Sequence, residues 1–211
     1  LDLSRQTPED PAALEAVVQA KPEWIVAATS YAWLGAELKF LQAAKERTGA
    51  KRLLTGYAAT HFAREIVGRK LADVISTGDP EVACGHLADG TLAAGRPGVL
   101  MAGALGELVP AQEAYVEDLD TLPMPDWEPF DRSELSYFPL LKRRPFLTML
   151  SSRGCPYACG FCPYPIGQGK PWRARTAKAV VDEMQHLVER WGTRSILFRD
   201  PTFSLDLART K

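Results

Sequence analysis

Cys155, Cys159 and Cys162 fall within eight residues, in the run C-P-Y-A-C-G-F-C, and the chemistry of this chain turns on them. Pro156 and Gly160 let the intervening backbone turn, so three thiolates can converge on one small object. Sulfur donors at that density suit a soft or borderline metal, and three ligands without a local fourth leave one coordination position free. Three other arrangements compete. A zinc site normally closes with a fourth ligand at short spacing, and neither His186 nor another cysteine follows within reach. A disulfide would use two of the three, and 4 cysteines in 211 residues do not make a secreted disulfide framework. Separate free cysteines rarely crowd together in this way. The spacing therefore favours a cluster-binding loop.

The composition around that loop is ordinary for a globular protein. The chain is 46% hydrophobic and 24% charged with a net charge of -1, and it has no basic stripe of the kind that binds nucleic acid. No apolar run approaches the ~20 residues that span a bilayer, and the start lacks a charged-then-apolar leader. Free cysteines point to a reducing, cytoplasmic setting.

The elements that must position the cysteines follow from periodicity. Asp10 and Pro11 open a helix whose inner stripe is Leu14, Val17 and Val18. Trp24 to Thr29 is a continuous apolar run, which predicts a strand buried on both faces. A helix from Leu34 to Arg47 sets Leu34, Leu38, Leu41 and Ala44 on one side and stops at Gly49. A strand at Arg52 to Thr55, a helix near Thr60 to Gly68, a strand at Asp73 to Ser76 and a helix from Pro80 to Ala88 follow. This alternation predicts an α/β fold with a doubly wound parallel sheet.

Ligands of such sheets sit beyond the carboxyl ends of the strands, which singles out the loops Thr29-Ser30-Tyr31, Gly56-Tyr57-Ala58 and Gly78-Asp79-Pro80-Glu81. Between Asp89 and Pro145 the texture turns to Gly and Pro, and prolines 123, 125 and 129 favour an extended connection. Phe146 to Ser152 then predicts the first strand of a second domain, which delivers the cysteine loop. A helix from Arg175-Thr176 follows, with Val180, Val181, Met184, Leu187, Val188 and Trp191 on one period and Gly192 as its end. Ser195 to Phe198 is the next strand. The expected organisation is 1–90 for the first domain, 91–145 for the connection and 146–211 for the second. Leu1 to Leu3 reads as the tail of a strand in progress, and the chain stops just as a helix should begin after Asp206, so a fragment is expected.

The run S-S-R-G-C-P-Y-A-C-G-F-C-P-Y-P resembles the C-x3-C-x2-C signature of the radical S-adenosylmethionine superfamily, including the aromatic Phe161 before the last cysteine. K-P-E-W-I-V-A-A-T-S, T-G-Y-A-A-T-H-F and T-G-D-P-E resemble phrases of the cobalamin-binding-type domain in one large branch, and D-T-L-P-M-P-D-W resembles its interdomain segment. The resemblance implies that Cys155, Cys159 and Cys162 hold a 4Fe-4S cluster. Its open iron takes S-adenosylmethionine, and an electron passing into the sulfonium yields a 5'-deoxyadenosyl radical. The fold it implies is a cobalamin-binding-like α/β domain, lacking its first strand and helix, followed by the start of a partial (β/α) barrel, whose active groups gather at the strands' carboxyl face.

Site residues are implied in the same way. Phe161 would border the adenine, or else shield the cluster from water. Asp200 would accept from the amino group of S-adenosylmethionine, or else cap a helix. Thr29, Ser30, Gly56, Tyr57 and Gly78 would line the cobalamin site, with Tyr57 standing where the family has a second glycine and narrowing the channel. Trp127 and Phe130 are expected at a domain interface, with plain packing the alternative. From residue type alone, Arg173 and Arg175 are candidates for a substrate or cosubstrate carboxylate against surface or helix-packing roles, Lys142-Arg143-Arg144 is a solvated loop rather than a patch for an acidic partner, and Cys84 is a small buried hydrophobe rather than a fourth ligand. The implied activity is radical-initiated modification of a small-molecule substrate fed by an electron donor such as flavodoxin or ferredoxin. Methyl transfer to an unactivated carbon leads if cobalamin binds. Cyclisation, rearrangement or sulfur insertion, or a non-catalytic iron-sulfur or corrinoid module, are the alternatives.

Overall fold

In the computed structural model, which describes residues 10–109, 112–130 and 143–211, α1 (Pro11–Ala20) begins where Asp10 accepts a hydrogen bond from the Ala12 amide. The expected strand tail at Leu1 to Leu3 and the basic Lys142 lie outside the described residues. Two compact units divide the chain: one runs to Val116 and takes in Phe161–Gln168, the other holds Glu117–Gly160 and Gly169–Lys211.

The first unit is a four-stranded sheet in the order β1 (Trp24–Ala28), β2 (Lys51–Thr55), β3 (Val74–Ser76) and β4 (Val99–Met101). The first three strands are parallel, as the alternation predicts, and helices cover both faces. Leu41 and Ala44 of α2 (Leu34–Thr48) are buried, and the helix ends at Gly49 in the left-handed region. Leu41 packs with Ala59, Ala63 and Ile66 on Leu54, Ile75 and Leu100. On the opposite face Ala83 of α5 (Pro80–Ala88) packs with Leu53, Val74 and Val99.

Three expectations are corrected. β1 is not buried on both faces: among the described strands it is the edge, and Val26 is 48% exposed. The helix expected from Thr60 is two, α3 (Tyr57–His61) and α4 (Ala63–Gly68), meeting at Phe62. The stretch after Asp89 is not simply a connection. β4 pairs antiparallel with β3, and Gly78 bridges to Ala114, which carries the first unit past position 90 to Val116. Short strands among Gly and Pro leave little periodic signal to read.

The second unit is built on β5 (Phe146–Met149) and β8 (Ser195–Phe198), parallel and in register from Phe146 opposite Ser195. Between them in sequence come β6 (Ser152–Arg153), α6 (Tyr164–Gln168), β7 (Arg173–Ala174) and α7 (Ala177–Trp191). α6 is grouped with the first unit. α7 is capped by Thr176, whose hydroxyl accepts from the Ala179 amide, and ends at Gly192 in the left-handed region. Leu147, Met149, Val180 and Leu187 form the core, with Trp127, Met184, Trp191, Ile196 and Phe198 against it. The helix stripe is narrower than expected: Val181 and Val188 are exposed, and the inward place between Val180 and Leu187 belongs to Glu183. That carboxylate is ion-paired with Arg175, which explains its burial. A short helix, α8 (Leu207–Thr210), capped by Asp206, closes the described chain.

Candidate metal centre and cofactor site

The cysteine loop leaves β6 and returns through β7, and those two strands pair antiparallel at its base, Ser152 opposite Ala174 and Arg153 opposite Arg173. The Cys155 amide donates to the Gly169 carbonyl (3.1 Å), which tightens the neck further. Cys155 is buried at 7% exposure, Cys159 is exposed and Cys162 is half-buried. All three are free thiols in the structure. Cys155 and Cys159 belong to the second unit, while Phe161 and Cys162 fall in the segment grouped with the first. Among the described residues no group of three or more His, Cys, Asp or Glu is drawn together as a metal site, so the structure does not assemble the trio. As a donor set, three unpaired thiols at this spacing fit an iron-sulfur cluster with an open corner.

What the second unit does assemble is a polar clasp at the carboxyl ends of β5 and β8. One Asp200 oxygen accepts from the Ser151 amide (2.8 Å), and the other from the hydroxyls of Ser151 (2.6 Å) and Ser152 (2.7 Å). Asp200 is therefore engaged in joining the two strand ends. Two positions on, the Thr202 hydroxyl lies 3.4 Å from Cys155 Sγ, a neighbour that the motif did not reveal. The indole of Trp172 donates to the Thr202 carbonyl (3.2 Å), and the Arg209 guanidinium lies over that indole.

Phe161 is 90% exposed. Arg175 serves the fold: it pairs with Glu183 and Asp120, and its own carbonyl accepts from Arg209. Arg173 is buried within the β6–β7 ribbon. Trp127 packs in the core and meets Phe130 edge-on at 5.8 Å, both within the second unit, in keeping with plain packing. Cys84 stands on α5, where burial and then the Glu81 charge push its thiol above the ordinary value.

In the first unit the loops after β1 and β2 are joined by hydrogen bonds. The Thr29 hydroxyl donates to the Thr55 carbonyl (3.1 Å) and accepts from the Ala59 amide (2.9 Å), so Thr29 ties β1 to the start of α3. Ser30 is exposed, and its amide donates to Glu37 (3.1 Å). Gly56, at φ +95°, sits where a Cβ would lie 2.7 Å from the Thr29 carbonyl. The bare flank of Gly78 is filled by the Ala114 backbone rather than open to a ligand. Tyr57 turns its ring onto α6, edge-on to Tyr164 at 5.6 Å, and its hydroxyl accepts from Gln168 (3.4 Å). Ser76 and Thr77, missed in the sequence because they read as the polar end of a short strand, are buried at the carboxyl end of β3. Among the described residues neither hydroxyl has a hydrogen-bond partner. Orphaned buried hydroxyls beside a tight glycine turn fit the polar tail of a bound cofactor.

No protein-family profile matches the chain. Over 96 residues it is 31% identical to an uncharacterized methyltransferase of Pyrococcus horikoshii, a match covering 44% of this chain and 20% of that protein. It superposes with a TM-score of 0.75, at 18% identity, on TsrM, a radical S-adenosylmethionine methyltransferase of Kitasatospora setae solved with a tryptophan substrate and a cosubstrate analogue. That alignment covers 99% of this chain and 42% of that one. On OxsB, a cobalamin-dependent S-adenosylmethionine radical enzyme solved with aqua-cobalamin, the TM-score is 0.71 at 17% identity, covering 90% of this chain and 27% of the other. The chain thus spans about a fifth of the curated relative and less than half of either solved protein, and over that span it has the fold of cobalamin-dependent radical S-adenosylmethionine enzymes.

Proposed function

We propose that this chain serves a radical S-adenosylmethionine enzyme, with Cys155, Cys159 and Cys162 holding a 4Fe-4S cluster and the first unit receiving cobalamin at its strand ends. The observation that carries this reading is the set of three free thiols on the loop after β6, in a chain with the fold of such enzymes. When bound, the cluster supplies the electron that breaks the cosubstrate's carbon-sulfur bond and the corrinoid supplies a methyl group. The chain's own residues hold and shield. Cys155 anchors the loop from a buried position, the β6–β7 ribbon closes its neck, and Asp200 fixes the ends of β5 and β8 beside it. Ser76 and Thr77 offer hydroxyls to the corrinoid's polar tail.

The reaction we assign is methyl transfer to an unactivated carbon of a small molecule, in the cytoplasm, with a flavodoxin or ferredoxin as the electron donor. The kinship with a curated methyltransferase supports it. A second reading, radical chemistry without cobalamin, draws on the Ala114 backbone against Gly78 and on Tyr57 in place of a glycine. Anaerobic reconstitution with iron and sulfide is expected to give the broad visible absorbance of a 4Fe-4S cluster, weakened in Cys159→Ala. Reduction with S-adenosylmethionine should then release 5'-deoxyadenosine. A zinc ion or a cystine at these positions would overturn the assignment. Added hydroxocobalamin separates the two readings, since retention through gel filtration supports the first and its loss the second.

A further inference from the structure

Thr202 was singled out by no motif, yet its hydroxyl is 3.4 Å from Cys155 Sγ and makes no other hydrogen bond among the described residues. In the free thiol either atom can donate. A thiolate bound to iron has no proton and can only accept, so ligation leaves Thr202 as the donor. The hydroxyl is not placed by chance. Its carbonyl is held by the Trp172 indole (3.2 Å), and Arg209 lies over that indole while donating to the carbonyls of Arg175 (2.7 Å) and Ser151 (2.8 Å). Cys155 is the buried member of the trio, and burial strengthens a hydrogen bond to a charged acceptor.

We propose that Thr202 is a positioning residue that donates a hydrogen bond to the Cys155 thiolate and so raises the cluster's reduction potential. The inference rests on the cluster assigned above. A donor aimed at a ligating sulfur stabilises the more negative, one-electron-reduced cluster, which is the usual lever of a protein on such a potential.

The test is a reductive titration of the reconstituted chain with dithionite, followed by electron paramagnetic resonance, in wild type, Thr202→Val and Thr202→Ser. Valine keeps the shape without the proton and serine restores the donor. The expected result is a more negative midpoint in Thr202→Val, while Thr202→Ser stays at the wild-type value. A Thr202→Val chain that folds by circular dichroism but takes up no cluster, beside a serine variant that does, also supports the hydroxyl's role. A loaded Thr202→Val with an unchanged midpoint overturns it. Absence of any cluster in wild type would instead sink the cluster assignment itself.

Discussion

The ring of Tyr57 occupies the space that a side chain on Gly167 would need. A Cβ built at Gly167 would collide with the edge of that ring, so α6 lies directly on the tyrosine that follows Gly56. Gly167→Ala is therefore expected to destabilise the first unit by about 1–3 kcal/mol, the usual cost of overpacking. In a Tyr57→Ala background the same change should cost far less, because the obstacle is gone. Urea unfolding of the four chains of this cycle checks it. Equal costs in both backgrounds would show that the ring and the glycine are not coupled.

Gly56 sets a second limit. Its φ of +95° and the 2.7 Å approach to the Thr29 carbonyl both exclude a side chain, and the obstacle is backbone rather than a flexible tip. Gly56→Ala should lower stability by roughly 2 kcal/mol or more, measured as a shift in the urea midpoint, and should reduce any corrinoid retention with it.

Asp200 distinguishes a structural carboxylate from one reserved for a cosubstrate. Ser151 and Ser152 are fully buried, and Asp200→Ala would leave an amide and two hydroxyls there without their acceptor. The expected loss is about 2–4 kcal/mol in the chain without cofactors, since each abandoned group carries a desolvation cost. Unaltered thermal stability would mean that the clasp contributes little and would leave cosubstrate binding as the reason for the carboxylate.

At the opposite ends of β2 and β3, Arg52 is fully buried and donates through its amide (2.8 Å) and side chain (3.2 Å) to Asp73, which also binds Lys45 (2.7 Å). Burial works to raise the Asp73 pKa, but the hydrogen bonds from Lys45 and Arg52 and the Arg52 charge together hold it below the ordinary 3.8. Because the folded value is the lower one, this stabilisation is complete above the ordinary carboxylate value and is lost as the pH falls through the folded value. Asp73→Asn should cost about 2 kcal/mol at neutral pH and weaken the dependence of the urea midpoint on pH below about 4. Parallel acid limbs for the two proteins would contradict this.

The thiols should differ in reactivity without metal. Cys159 is exposed, Cys155 is buried, and Cys84 is half-buried with a thiol raised by burial and then by Glu81. Alkylation mapped by mass spectrometry at pH 7 should therefore modify Cys159 first and leave Cys155 and Cys84 behind, with Cys84 gaining only as the pH rises beyond 9. Uniform labelling would show that the loop neck does not protect Cys155.

Sequence alone was enough to find the cysteine trio, the parallel α/β order, and the helices bounded by Asp10-Pro11, Gly49, Thr176 and Gly192. Local rules govern all of these: ligand spacing, hydrophobic period, and caps that satisfy or end a helix within a few residues. Tertiary structure decided the rest, because it depends on partners far apart in the chain. Val26 is exposed because β1 is an edge strand, and β4 exists because β3 offers it a side. Glu183 is an inward charge because Arg175 meets it there. Asp200 and Thr202 gain their meaning only where β5 and β8 run side by side, some fifty residues apart in sequence, and bring Ser151, Ser152 and Cys155 to them. No periodicity or motif encodes such a meeting, which is fixed when the two strands pair and bury Leu147 and Met149 beneath α7.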